Sequence, residues 1–227
     1  MHTLTRSEQD YLKALYALAP DGERVATSRL AAQLAVSAPS VTRMLAKLAA
    51  SRLVSHAPRA GARLTARGRD QAIAIVRRHR ILETFLARVL KLDWAEVHAD
   101  AEILEHHISE RVLAAIDRLM GHPREDPHGH LIPDRAGRMR PRALRPLSAL
   151  SRGARATVRE IRDHDPDGRR LAHWKRAGLV PGARVVLREV RELDDVYEIQ
   201  VGGRLLVTGS EGLEGVMVEP ARDHRAR

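Results

Sequence analysis

Between His98 and His107 the chain reads H-A-D-A-E-I-L-E-H-H, and this stretch holds the residues best suited to chemistry. On a helix, His98 and Glu102 are four residues apart, Glu102 and Glu105 three, and Glu102 and His106 four. The four side chains would then share one stripe. Imidazole and carboxylate without thiolate form a ligand vocabulary for divalent metal ions. Solvated i,i+4 pairs are the plainer alternative, but Glu102, Glu105 and nearby Asp100 would repel one another unless a cation sat among them. The cluster predicts a metal centre to which other elements bring further ligands.

The elements that must position this cluster belong to a chain of opposite charge. Its 227 residues carry 39 Lys and Arg against 29 Asp and Glu, a net +10 with a pI near 10.9. Such a balance points to a polyanionic partner, double-stranded DNA first. The excess lies at the front, with eleven basic and five acidic residues through residue 72 and seven against eight from 74 to 122. Absence of cysteine excludes a disulfide frame, thiolate ligands and a cysteine nucleophile. A polar N-terminus and the lack of an apolar run of spanning length predict a cytoplasmic protein with no membrane association.

Residues 5 to 19 carry Tyr11, Leu12, Leu15 and Leu18 at helical spacing, with Thr5 or Ser7 as cap and Asp10 beside the apolar stripe. Thr27 or Ser28 begins a short helix, and Ala35-Val36-Ser37 breaks it. Ser37 then caps a second helix with Pro39 in its first turn and Val41, Met44, Leu45 and Leu48 facing inward. This spacing predicts a helix-turn-helix whose outer face presents Thr27, Ser37, Pro39, Ser40, Thr42, Arg43 and Lys47 to DNA. Leu53-Val54 and Leu64-Thr65 flank a turn, giving a wing whose Arg59 and Arg63 would meet phosphate.

A long helix follows to about Lys91, apolar on more than one side, with His79 and Glu83 one turn apart on its more polar face. Residues 109 to 120 extend the apolar surface, which predicts a twofold homodimer. From Gly121 to Pro146 little periodicity remains, so the segment reads as an extended connector whose His122, His128 and His130 are solvated. Five short alternating strands between 147 and 220, with Gly202-Gly203 as a hairpin turn and one helix near 168–177, suit a small barrel. The expected fold is mostly α with a β domain: a winged helix-turn-helix over 1–72, a helical dimerisation and metal-binding domain over 73–122, a Pro-rich linker over 123–146, an SH3-like, FeoA-like β-barrel over 147–220, and a disordered tail over 221–227.

In this order the pieces resemble the metal-dependent repressors of the diphtheria toxin repressor and manganese transport regulator family. Gln9-Asp-Tyr-Leu12, Ser37-x-Pro-Ser-Val41, Arg77-Arg-His-Arg80 and Glu102-x-x-Glu-His106 carry the resemblance, which covers nearly the whole chain. It implies a principal metal site at Asp10, Glu102, Glu105 and His106, and an ancillary site at His79, Glu83 and His98. Asp167 is the nearest barrel residue to complete the latter. The iron-responsive branch has Met and Cys where this chain has Asp10 and Glu102, so the resemblance favours Mn²⁺, with Fe²⁺ as the alternative. Shorter manganese regulators carry Glu where this chain has Lys13, so their closely spaced pair of ions does not transfer. The implied function is non-enzymatic: a repressor of manganese or iron homeostasis genes that binds a palindromic operator as a dimer when metal is bound. Two other classes compete, a metallohydrolase and a metal-independent DNA-binding protein. The first lacks a general base apart from the proposed ligands.

Overall fold

The structure, a computed structural model, describes residues 4–57, 59–140, 142–162 and 169–221. Asp167 and the tail from 222 onward therefore lie outside the described residues. The chain divides into two compact units, the first comprising residues to 79 with 103–113 and 133–139, the second 80–102, 114–132 and 140 onward.

The first unit is built on helices α1 (Arg6–Leu18), α2 (Thr27–Leu34) and α3 (Ala38–Ala50), strands β1 (Val54–Ala57) and β2 (Gly61–Leu64), and the first part of α4 (Ala66–Arg88). Thr5, not Ser7, caps α1. Its side chain accepts from the Glu8 amide while Glu8 accepts from the Thr5 amide, a reciprocal cap worth about 1 kcal/mol. The Glu8 side chain is fully buried and also meets Lys47 Nζ of α3 at 3.3 Å. Ala35 takes a left-handed conformation (φ 53°) that ends α2, and Ser37 then caps α3. Tyr11, Leu12, Leu15, Leu30, Val41, Leu45, Leu48 and Ile73 close a single core beneath these helices. The wing is held at its base: Val25 and Ala62 exchange backbone hydrogen bonds, and Arg24 Nη1 donates to the Gly61 carbonyl at 3.0 Å. Gly61 has φ +78°, and a β-carbon there would collide with the Val25 carbonyl, so the hairpin requires glycine.

The second unit holds the rest of α4, helix α5 (Val97–Leu104), most of α6 (Glu110–Leu119) and a β domain. That domain comprises β3 (Arg145–Pro146), β4 (Arg155–Ile161), helix α7 (Arg169–Ala177), β5 (Arg184–Arg191), β6 (Val196–Val201), β7 (Arg204–Thr208) and β8 (Val216–Pro220). The strands form one antiparallel sheet in the order β3-β8-β4-β5-β6-β7, with register shifts in β4 and β5 that bend it. The five strands expected after residue 147 are β4 to β8, β3 adds a short sixth alongside β8, and among the described residues no pairing of β3 with β7 closes the sheet into a barrel. Trp174 of α7 sits fully buried against the sheet and donates to the Gly212 carbonyl at 2.8 Å. Gly202 and Gly203 form the β6–β7 hairpin turn, both at positive φ.

One expectation is overturned in this unit. The connector does not run extended past solvent. Glu125 and Leu131 pair across a tight loop, Asp126 and His128 are buried, and the Ile161 amide donates to the His128 carbonyl at 2.9 Å. Gly129, at φ +86°, passes so close to the Arg159 carbonyl that no side chain fits. The spacing of Pro and Gly gave no hydrophobic period, yet the loop's polar side chains satisfy its own backbone and allow it to be buried.

Candidate metal centre

In the first unit, α1 carries the neighbours Gln9 and Asp10 and, four and three residues further on, Lys13. Glu105 and His106 come from the turn after α5, not from the helix itself. α5 ends at Leu104, whose carbonyl accepts the His107 and Ile108 amides, and Ser109 Oγ accepts the Val112 amide to cap α6. Four ligands on one helical stripe were expected, and this turn is the departure from it.

His106 Nδ1 meets Gln9 Oε1 at 3.1 Å. An amide oxygen only accepts, so Nδ1 donates to it and Nε2 is the nitrogen turned toward the carboxylates. That nitrogen lies 3.1 Å from Asp10 Oδ1 and 3.5 Å from Glu105 Oε1, is buried, and makes no hydrogen bond among the described residues. One ligand atom from each of Asp10, Glu105 and His106 lies within 4.8 Å of the others. Two carboxylates and an imidazole without thiolate, their ligand atoms gathered in one place, are a donor set that fits a divalent ion.

Glu105 is fully buried and doubly engaged. Lys13 Nζ stands 2.7 Å from Oε1, and His79 Nδ1 stands 2.5 Å from Oε2. Burial alone would raise its carboxyl, but the hydrogen bond and charge of His79, and then Lys13, outweigh burial and hold it below the usual carboxylate range. Arg78 Nη1 donates to the Glu105 carbonyl at 3.0 Å and fixes the turn.

The second unit gathers the remaining predicted ligands. Glu83 Oε1 meets His98 Nδ1 at 3.1 Å, and His98 Nε2 lies 3.6 Å from Glu102 Oε1. Glu83 Oε2 faces His128 Nδ1 at 3.8 Å. His128 was expected in solvent; it is instead 5 % exposed, stacked near Trp94 with centroids 5.3 Å apart. Its Nε2 donates to the Trp94 carbonyl at 2.9 Å, which turns Nδ1 toward Glu83. Burial disfavours the charged ring, but Glu83 and Asp126 more than offset it and raise His128 above its ordinary 6.5. Asp126, His128 and His130 form a compact set with ligand atoms within 4.8 Å of one another. Sequence reasoning missed this set. The signal was the i, i+2, i+4 spacing of Asp126-Pro-His-Gly-His130 around a glycine. Lys13 and Gln9 were also missed as partners; their offsets from Asp10 on α1 were the available clue.

On the DNA-reading side, Ser37, Pro39, Thr42 and Arg43 are exposed at the start of α3, with Thr27 and Ser40 half-buried. Ser37 Oγ and Ser40 Oγ lie 2.9 Å apart, and Thr42 Oγ1 donates to the Ala38 carbonyl, so these hydroxyls are held in place by the helix's own first turn. Arg59 (φ 64°) and Arg63 are exposed on the wing. Lys47, although exposed on α3, is engaged by Glu8.

Comparison with known proteins agrees with this layout. The iron dependent repressor N-terminal DNA binding domain matches residues 3–62, the iron dependent repressor metal binding and dimerisation domain matches 65–134, and the FeoA domain matches 145–220. The iron-dependent repressor IdeR of Mycobacterium leprae (strain TN) is 31 % identical over 96 % of this chain and 99 % of its own. A solved manganese-dependent transcriptional repressor in complex with manganese is 35 % identical, with a TM-score of 0.86 over 94 % of this chain and 100 % of that one. The manganese regulator SloR is 27 % identical at a TM-score of 0.76, over 96 % of this chain and all of its own. A winged helix-turn-helix, a His/carboxylate centre and an FeoA domain in this order, with a full-length relative above 30 % identity, place the chain in the iron-dependent repressor family of metal-dependent, DNA-binding transcriptional regulators.

Proposed function

We propose that this regulator is manganese-responsive and dimeric, and that it represses metal-homeostasis genes by binding a palindromic operator in its metal-loaded form. The observation that carries the reading is His106 Nε2, buried and facing Asp10 Oδ1 and Glu105 Oε1. A bound divalent ion would supply the positive charge that these donors share. Glu102, one turn ahead of His106 in sequence, completes the set, while His79, Glu83 and His98 serve a second ion. Oxygen and imidazole donors without thiolate favour Mn²⁺ over softer ions, and a solved relative at 35 % identity is described with manganese. The iron-dependent relatives support Fe²⁺ as the alternative.

Asp10 rides on α1 of the DNA-reading domain, whereas Glu105 and His106 follow α5. Donors on both segments that converge on one cation restrict α1, and thereby favour the placement of α3 that fits an operator, provided that state holds the ion more tightly. Ser37, Ser40, Thr42 and Arg43 then meet base edges and phosphates, and Arg59 and Arg63 meet phosphates. Exposed Ile103 and Val112 in the first unit, and Leu90 and Leu119 in the second, are apolar surface suited to a twofold partner. Matched families and relatives are repressors rather than enzymes, which disfavours the hydrolase reading.

Glu102→Ala is the direct test. The variant is expected to keep its fold and dimer but lose Mn²⁺-stimulated operator binding in a fluorescence-anisotropy titration. Unchanged Mn²⁺ dependence would overturn the assignment. Tight operator binding by the native protein in excess chelator would overturn metal control altogether.

A further inference from the structure

The same oxygen serves two claims on it. Glu105 Oε1 lies 3.5 Å from His106 Nε2, where an ion shared with Asp10 would sit, and 2.7 Å from the ammonium of Lys13. Lys13 is the permanent charge here: its side chain is 18 % exposed, Glu105 is fully buried, and Oε2 is already taken by His79. A buried carboxylate requires a compensating charge, and Lys13 supplies it from three residues along α1 beyond Asp10.

We propose that Lys13 is a tethered competitor for the metal, occupying Glu105 in the metal-free protein and thereby setting the concentration of free ion at which the regulator loads. This inference rests on the reading that Asp10, Glu105 and His106 hold the ion. An arriving divalent cation must share Oε1 with the ammonium or displace it into water. Sharing sets two like charges within a few ångströms and displacement forfeits the Lys13–Glu105 ion pair, and either cost is large enough to move binding by a power of ten or more. The ammonium also completes the metal-free state electrostatically, so the centre has two well-compensated forms rather than one filled form and one repulsive vacancy. A lysine stem is long and flexible enough to swing between them, which the planar fork of arginine does less readily.

The experiment is a Mn²⁺ competition titration against a chromophoric chelator on the full-length protein, with Asp10→Ala identifying which class of sites belongs to this centre. Lys13→Gln keeps a hydrogen-bond donor for Oε1 but removes the charge. It is expected to tighten that class at least tenfold and to lower the melting temperature of the chelator-treated protein. Lys13→Arg keeps the charge and is expected to stay within about threefold of the native affinity. Equal or weaker binding by Lys13→Gln, or equal tightening by both variants, overturns the competitor role. If Lys13→Gln folds only with metal, the Mn²⁺ needed to restore its far-ultraviolet dichroism should lie below the native dissociation constant, and a higher requirement overturns the role as well. Should Asp10→Ala leave every class unchanged, the assignment of the centre fails instead.

Discussion

Two buried carboxylates, Glu105 and Asp126, sit among histidines and are compensated by different means. Glu105 is neutralised by side chains gathered from afar: Lys13 lies 92 residues away in sequence and His79 lies 26. Asp126 is satisfied locally, its Oδ1 accepting the amides of His128 and His130 at 2.8 and 3.0 Å and its Oδ2 meeting His130 Nδ1 at 3.1 Å. Arg80 Nε stands farther off, at 3.8 Å. The first arrangement links segments that can move apart; the second shapes one loop. A cation received at Glu105 can therefore change how elements are joined, whereas one received at Asp126 stiffens a loop already in place.

Removing each carboxylate should expose this difference. Glu105→Ala strands a half-buried ammonium and a buried imidazole, and a loss of about 3–5 kcal/mol in urea unfolding is expected. A loss below about 1 kcal/mol would mean that Lys13 escapes to water without cost, and the comparison would collapse. Asp126→Ala unties two amides and is expected to cost about 2 kcal/mol, while Asp126→Asn keeps the Oδ1 acceptor and should recover most of it. If Asp126→Asn is as damaging as Asp126→Ala, charge rather than loop geometry governs that site.

The smallest effect belongs to an exposed pair that serves as a baseline. Lys175 Nζ meets Asp93 Oδ2 at 2.6 Å, with both side chains over a third exposed. The Lys175 hydrogen bond, with help from the Ala95 amide, lowers the Asp93 carboxyl below its ordinary 3.8. Its folded value lies under its unfolded one, so the pair's stabilisation is present above the ordinary aspartate range and disappears as pH falls through the lowered value. Lys175→Met should cost less than about 1 kcal/mol at neutral pH, and the difference from the native protein should shrink below pH 3.8, read from urea midpoints against pH.

What could be read from the sequence follows the range of the interactions involved. Local devices were legible: Thr5 with Glu8, Ser37 before Pro39, and Gly202-Gly203 each act within a few residues, and each stands where its spacing predicts. The helix-turn-helix, the wing and the His/Glu stretch followed from such devices together with the family resemblance. The end of α5 at Leu104 was not legible, because His98–His107 holds no glycine or proline to mark it. Nor was the burial of His128, which needs Trp94 and Glu83 brought to it by folding. The bond of Lys13 to Glu105 left only an indirect signature, the three-residue offset of Lys13 from Asp10 on α1.

Glu8 has a mechanical consequence of its own. Its carboxylate receives the Thr5 amide and hydroxyl at the root of α1 and Lys47 from α3, so the two helices share one pivot. Asp10 is two residues beyond that pivot, on the short arm of a lever whose long arm is the recognition helix. On the proposed reading, a change at Asp10 would reach α3 through Glu8, a residue outside both the proposed metal ligands and the proposed DNA contacts.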